Sequence, residues 1–183
     1  MEKKRWNKSG QFYLIAAIVI ISLIIGFIGI ANYSKKKSSE KMNYLRDELN
    51  IETAYIVQYG INNNGTGLEA INYMFYDTAD FYVNETIIEE IYFVLADMSI
   101  PIPRVAVSAW ANPFPDSIII DGSTKLFEGK TFSDNYKDLY YTPTANSTTI
   151  KINNISYTFD LKPGVNIYFV ISNGDYVASN KNF

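Results

Sequence analysis

Two of the side chains most often used in catalysis are missing, since the 183 residues include no cysteine and no histidine. Their absence closes Ser-His-Asp triads, thiol nucleophiles, and the zinc and copper sites that need imidazole or soft ligands. Carboxylate chemistry remains. Asp77 and Asp80 stand three apart, with Glu85, Glu89 and Glu90 soon after. Such a pair serves glycoside hydrolysis or binds calcium only when a cleft fixes its separation, and on a helix it more commonly forms a solvated face. Ser133-Asp134-Asn135-Tyr136-Lys137-Asp138 offers oxygen ligands without EF-hand spacing or a closing glutamate, and reads as a capped turn. Gly122-Ser123-Thr124-Lys125 lacks the glycine-lysine-hydroxyl order of a phosphate loop and reads as a hairpin turn after SIIID. The sequence therefore predicts no catalytic, cofactor-binding or metal site, no cofactor, and a protein that is not an enzyme.

Charge narrows the partners. Residues 1–41 hold eight Lys/Arg against two acids, and residues 42–183 hold eight against seventeen. An acidic body repels phosphates, so nucleic acid is not expected as a partner. The basic charge flanks the run FYLIAAIVIISLIIGFIGIA, Phe12 to Ala31. At 1.5 Å per residue this run is about 30 Å long as a helix, the thickness of a bilayer's hydrocarbon core. It is apolar all round, which predicts lipid rather than a protein core as its surroundings. Lys3, Lys4, Arg5 and Lys8 precede it and Lys35, Lys36, Lys37 and Lys41 follow it, so the positive-inside rule returns a near tie. Asn-x-Ser/Thr triplets at Asn64, Asn84, Asn146 and Asn154 would be glycan acceptors if the body is exported, and favour the body being outside.

The head of the chain, KKRWNKSGQFYLIAAIVIISLIIGF, resembles the class III signal of archaeal type IV pilin-like proteins. In that family a short basic leader ends in glycine, a prepilin peptidase cuts after it, and the apolar stretch begins a long helix. The resemblance implies a cut between Gly10 and Gln11. It also implies a single-pass protein at the cell membrane with its C-terminal domain outside, and partners comprising the lipid bilayer, prepilin peptidase and identical or related pilin-like subunits. LRDELNIETAYIVQYG and YTFDLKPGVNIYFVIS extend the resemblance more loosely. Many pilins carry glutamate at the fifth mature position; here that position is Ile15. The chain thus departs from the pattern at the residue that pairs with a neighbouring subunit's terminal amine. A membrane-tethered binding or accessory domain that never polymerises is the alternative.

The elements follow from periodicity. Met42, Leu45, Leu49 and Ile56 mark an amphipathic helix continuing from the span and ending at Gly60 as a left-handed cap. Leu68, Ile71, Met74, Phe75, Ala79 and Tyr82 predict a second, short helix over residues 67–82. IIEEIYFVLADM suits helix or buried strand, and its β-branched and aromatic content tips IYFVLADM toward strand. Prolines 101, 103, 113 and 115 isolate short strands at residues 104–109 and around Ile119. TTIKI, ISYTFDL, VNIYFVIS and DYVAS read as a four-stranded antiparallel meander. Asn153-Asn154 and Asn173-Gly174 serve as its two-residue turns, and Lys162-Pro163-Gly164 as its middle turn. Ile150, Ile152, Tyr157, Phe159, Leu161, Ile167, Phe169 and Ile171 would form the face that meets the helix. The expected fold is α+β, a long N-terminal helix packed on an antiparallel β-meander with a second short helix. Its expected divisions are a leader at 1–10, a transmembrane helix at 11–33, an amphipathic helix at 34–60 and a globular head at 61–183. Fifteen tyrosines, with Tyr73, Tyr76, Tyr82, Tyr136, Tyr140 and Tyr141 expected partly exposed, suit either subunit contacts or the covering of a sheet.

Overall fold

The computed structural model describes residues 8–64, 68–112, 114–115, 117–127, 131–133, 136–152, 154–174 and 176–180. Helix α1 (Lys8–Asn64) is followed by α2 (Leu68–Glu85), and then by β1 (Glu90–Asp97), β2 (Arg104–Trp110), β3 (Ser117–Ile120), β4 (Ser123–Leu126) and β5 (Thr131–Ser133). The remaining strands are β6 (Tyr136–Tyr141), β7 (Ser147–Ile152), β8 (Ile155–Asp160), β9 (Val165–Ser172) and β10 (Val177–Ser179). The α+β class, the long first helix, the shorter second one and the antiparallel pairing are as the sequence predicts. Residues 1–41 and 42–183 form two compact units.

Residues 42–183 are built in three layers. The central sheet has the order β10-β9-β1-β2-β6-β5 and the outer sheet the order β4-β3-β7-β8. Met42, Leu45 and Leu49 of α1 and Ile71, Phe75, Ala79 and Tyr82 of α2 pack on one face of the central sheet, against Ile91, Phe93, Leu95, Phe169 and Ile171. On its other face Tyr92, Val94, Val105, Val107 and Val170 meet Ile118, Ile120, Ile150, Ile152 and Phe159 of the outer sheet. A strand covered on both faces has no reason to alternate, and β1 accordingly reads as an unbroken apolar run. That is why its sequence fitted helix and strand almost equally.

The same physics corrects the meander. β7 pairs with β8, register Ser147↔Asp160 to Ile152↔Ile155, but β9 leaves for the central sheet and pairs with β1. Ile150, Ile152, Phe159 and Leu161 therefore lie between the two sheets, with half-buried Tyr157 against them, and only Ile167, Phe169 and Ile171 of the expected face turn toward the helices. Lys162-Pro163-Gly164 is the crossover. The Asn166 side chain accepts from Lys162 N at 2.9 Å and donates to Lys162 O at 2.7 Å and Gly164 O at 3.1 Å, fixing the bend, and Gly164 takes φ 100°.

Turn chemistry explains the hairpins. Asp121 (φ 49°) and Gly122 (φ 77°) form the two-residue link between β3 and β4, a left-handed pair that glycine and aspartate tolerate. The turn thus lies one residue ahead of the expected GSTK, whose Ser123, Thr124 and Lys125 belong to β4. Asn154 has φ 66° in the β7–β8 turn; Asn153 lies outside the described residues. Ser172 pairs with Val177, so the β9–β10 loop has four residues rather than the expected two, and Asn173 closes it by accepting from Tyr176 N at 3.0 Å.

Gly60 gives a further correction. α1 continues past it to Asn64, because this glycine admits a neighbour instead of capping the helix. A Cβ there would stand 2.6 Å from Ile71 Cγ1. Its absence lets α2 pack closely against α1.

Candidate functional site

The apolar stretch of α1 is the most unusual surface on the chain. Among the described residues it is one helix long and apolar enough to cross a membrane, with mean hydropathy 3.0 and none of its most apolar window buried. Leu14, Ile15, Ile18, Ile21, Ile25, Phe27, Ile28 and Ile30 are each more than half exposed. Exposed apolar surface on this scale marks a membrane or protein contact. The Ser22 hydroxyl, in the middle of the run, donates to Ile18 O at 2.8 Å, so it is not a bare donor on an apolar surface. Gly26 and Gly29 face open space. Gly10 and Gln11 lie in the first turn of α1.

The four glycosylation candidates fall on the second unit. Asn64 is the last residue of α1 and Asn84 is exposed in the last turn of α2. Asn146 is exposed before β7, where its carbonyl accepts from Leu161 N at 2.8 Å. Asn154 is exposed in the β7–β8 turn.

The carboxylates do not assemble. Asp77 is exposed and Asp80 half-buried on α2, Glu85 and Glu89 are exposed, and Glu90 opens β1. Asp134 lies outside the described residues. No three His, Cys, Asp or Glu side chains among the described residues stand close enough together to hold a metal ion.

One polar cluster escaped the sequence reading. Ser133 ends β5 but Tyr136, Lys137 and Asp138 belong to β6, so the expected capped turn is in part a strand, and Asp138 is fully buried. Asn72 of α2 donates to Asp138 Oδ2 at 2.7 Å, and the Tyr140 hydroxyl donates to the same oxygen at 3.0 Å. The Ser108 hydroxyl donates to Asn72 Oδ1, and the Tyr136 hydroxyl does so at 3.2 Å. Two donors thus meet at Asp138 Oδ2 and two at Asn72 Oδ1. Burial raises the Tyr136 phenol well above its ordinary pKa, against the lowering effect of its hydrogen bond with Ser108. The cluster ties α2 to the central sheet. Asn72, Ser108, Tyr136 and Asp138 are at most 1 % exposed, and of the cluster's five side chains Tyr140 alone is half-buried. Two signals could have found it: Asn72 sits on the apolar stripe of α2, and Asp138 shares a strand face with Tyr136 and Tyr140.

Of the six tyrosines expected partly exposed, Tyr82 and Tyr136 are buried in the core and Tyr73 is exposed; Tyr76, Tyr140 and Tyr141 are half-buried. Burial pushes Tyr141 up to about 12, with its hydrogen bond to Thr148 acting the other way. Two open grooves border the outer part of α1. One of about 500 Å³ lies between Ala54, Val57 and Ile61 of α1 and Val165 and Ile167 of β9. The other is polar, lined by Arg46, Asp47 and Asn50 with β10. Comparisons of the chain with protein-family models, curated proteins and solved structures give no match.

Proposed function

We propose that this chain is a membrane-anchored, pilin-like cell-surface protein, whose processed helix is held in the bilayer while an acidic α+β head is displayed outside. The observation that carries the proposal is the pairing of a basic leader ending at Gly10 with a helix whose apolar side chains are exposed on every side from Tyr13 to Ile30. Such a surface is stable only in lipid or against other apolar helices. The role is mechanical and not catalytic: anchoring, with lateral packing of apolar helices into a type IV pilus-like filament. Exposed Asn84, Asn146 and Asn154 are available to glycan transfer on the outer side. Ile15 favours a second reading, a tethered accessory domain that is processed but does not polymerise, because the position lacks a carboxylate to pair with an incoming terminal amine.

Mass spectrometry of the mature N-terminus tests the first step. Gln11 as the first residue supports prepilin-type processing; Met1 retained on the membrane-bound protein refutes it. Filaments seen by electron microscopy, and lost when Gly10 is replaced, would separate the polymerising reading from the tethered one.

A further inference from the structure

The groove between α1 and β9 is bounded on one side by an uncompleted sheet edge. β9 is paired with β1 over its whole length, Val165–Ser172. On its other side β10 pairs only with Val170 to Ser172. Past that point the Asn180 side chain stands in for a strand, its Oδ1 accepting from Phe169 N at 2.6 Å and its Nδ2 donating to Ile167 O at 3.3 Å. Antiparallel geometry turns the N–H of Ile167 and the backbone groups of Val165 to this same side. Among the described residues no strand pairs with β9 there.

The wall facing this edge is a helix. Val57, half-buried, and Ala54 and Ile61, exposed, come from α1; half-buried Val165 and Ile167 come from β9. The Lys162-Pro163-Gly164 crossover, held by Asn166, closes one end. The backbone groups of Val165 and the N–H of Ile167 border a helix wall that is apolar at Ala54, Val57 and Ile61 and polar at Gln58 and Asn62, which suits an extended main chain with apolar side chains at alternate positions. A cavity of about 500 Å³ is within the size of sites that hold small ligands.

We infer that this groove takes an extended, apolar peptide segment of a partner protein, which adds as a strand to the free edge of β9 and lays alternate side chains against α1. Backbone pairing supplies the affinity and the helix wall the selectivity, as in other strand-addition sites between a strand and a helix. The inference does not depend on leader processing or on filament formation.

The probe is a dye-labelled, end-capped heptapeptide of alternating valine and threonine, titrated by fluorescence anisotropy against the full-length chain in phosphatidylcholine nanodiscs. Saturable binding is expected, with slower hydrogen exchange at the Ile167 amide. N-methylation of alternate peptide amides should weaken binding by at least about tenfold, as the loss of one or two hydrogen bonds requires. Ile61→Asp, at a position already half exposed, should weaken it comparably. Ile155→Asp, on the edge of the outer sheet, should leave it unchanged. Absence of saturable binding, indifference to N-methylation or to Ile61→Asp, or loss on Ile155→Asp would overturn the proposal. Binding seen only after removal of residues 181–183 would also overturn it, since the chain itself would then be closing the edge.

Discussion

Replacing Asp138 by alanine removes the acceptor at the end of a buried chain of donors, and the structure sets the size of the effect. Asn72 Nδ2 and the Tyr140 hydroxyl both donate to Asp138 Oδ2. Asn72 is fully buried, so its amide finds no water in exchange. Each such hydrogen bond contributes about 0.5–1.5 kcal/mol net, and a stranded buried donor costs about 1–3 kcal/mol. Asp138→Ala should therefore lower stability by about 3 kcal/mol. Asn72→Ala alone should cost a similar amount, since it removes one of the donors to the carboxylate and leaves the Ser108 and Tyr136 hydroxyls without Oδ1. The double variant should cost well below the sum, with a coupling of about 0.5–3 kcal/mol, because neither member is then left without the other. Reversible chemical denaturation of the full-length chain in detergent micelles, followed by circular dichroism, measures all four corners of the cycle. Additive losses, or a loss under about 1 kcal/mol for Asp138→Ala, would refute the claim that this network holds α2 to the sheet.

Gly60→Ala sets a helix-propensity gain of about 1 kcal/mol against a Cβ placed 2.6 Å from Ile71 Cγ1. Ile71 is buried and β-branched, so overpacking of about 1–3 kcal/mol should win; Ile71→Ala should reverse the sign, and the same denaturation assay reads both. Alkaline pH should unfold the head. Tyr82, Tyr92, Tyr136 and Tyr141 have phenol pKa values raised first by burial. The folded state therefore keeps protons that the unfolded state releases near pH 10. Their stabilising effect is complete below pH 10 and is lost progressively above it, with Tyr141 releasing its proton at about 12 and the others later, so a pH titration of the melting temperature should show a fall that begins near pH 10 and does not level off by pH 12. Ile24→Asp places a charge in the middle of the apolar run, where it disfavours membrane insertion by about 2.5–3.5 kcal/mol. The variant should shift toward the soluble fraction on cell fractionation.

Periodicity made the helices and most strands legible. The stripe Met42, Leu45, Leu49 and Ile56 predicted the inward face of outer α1, and those side chains do pack on the central sheet. What the sequence concealed was layering. β7 alternates because only one of its faces is covered, while β1 and β9 are apolar on both; that contrast distinguishes an outer sheet from a central one, but a local reading joined all four C-terminal strands into one meander. Gly60 was hidden for a related reason, since a glycine that ends a helix and one that admits a neighbouring isoleucine look alike until the neighbour is known. The polar cluster depends on Asn72, Ser108 and Asp138 meeting across 66 residues of sequence, a coincidence no spacing rule encodes. The groove beside β9 arises from where β10 stops pairing, which depends on Asn180 turning its side chain onto the β9 edge.

Anchoring by α1 is the claim on which the functional reading stands, and washing isolated membranes with alkaline carbonate tests it most directly. The full-length protein should stay with the lipid pellet, where peripheral proteins leave. Recovery of the intact chain in the supernatant would contradict the account.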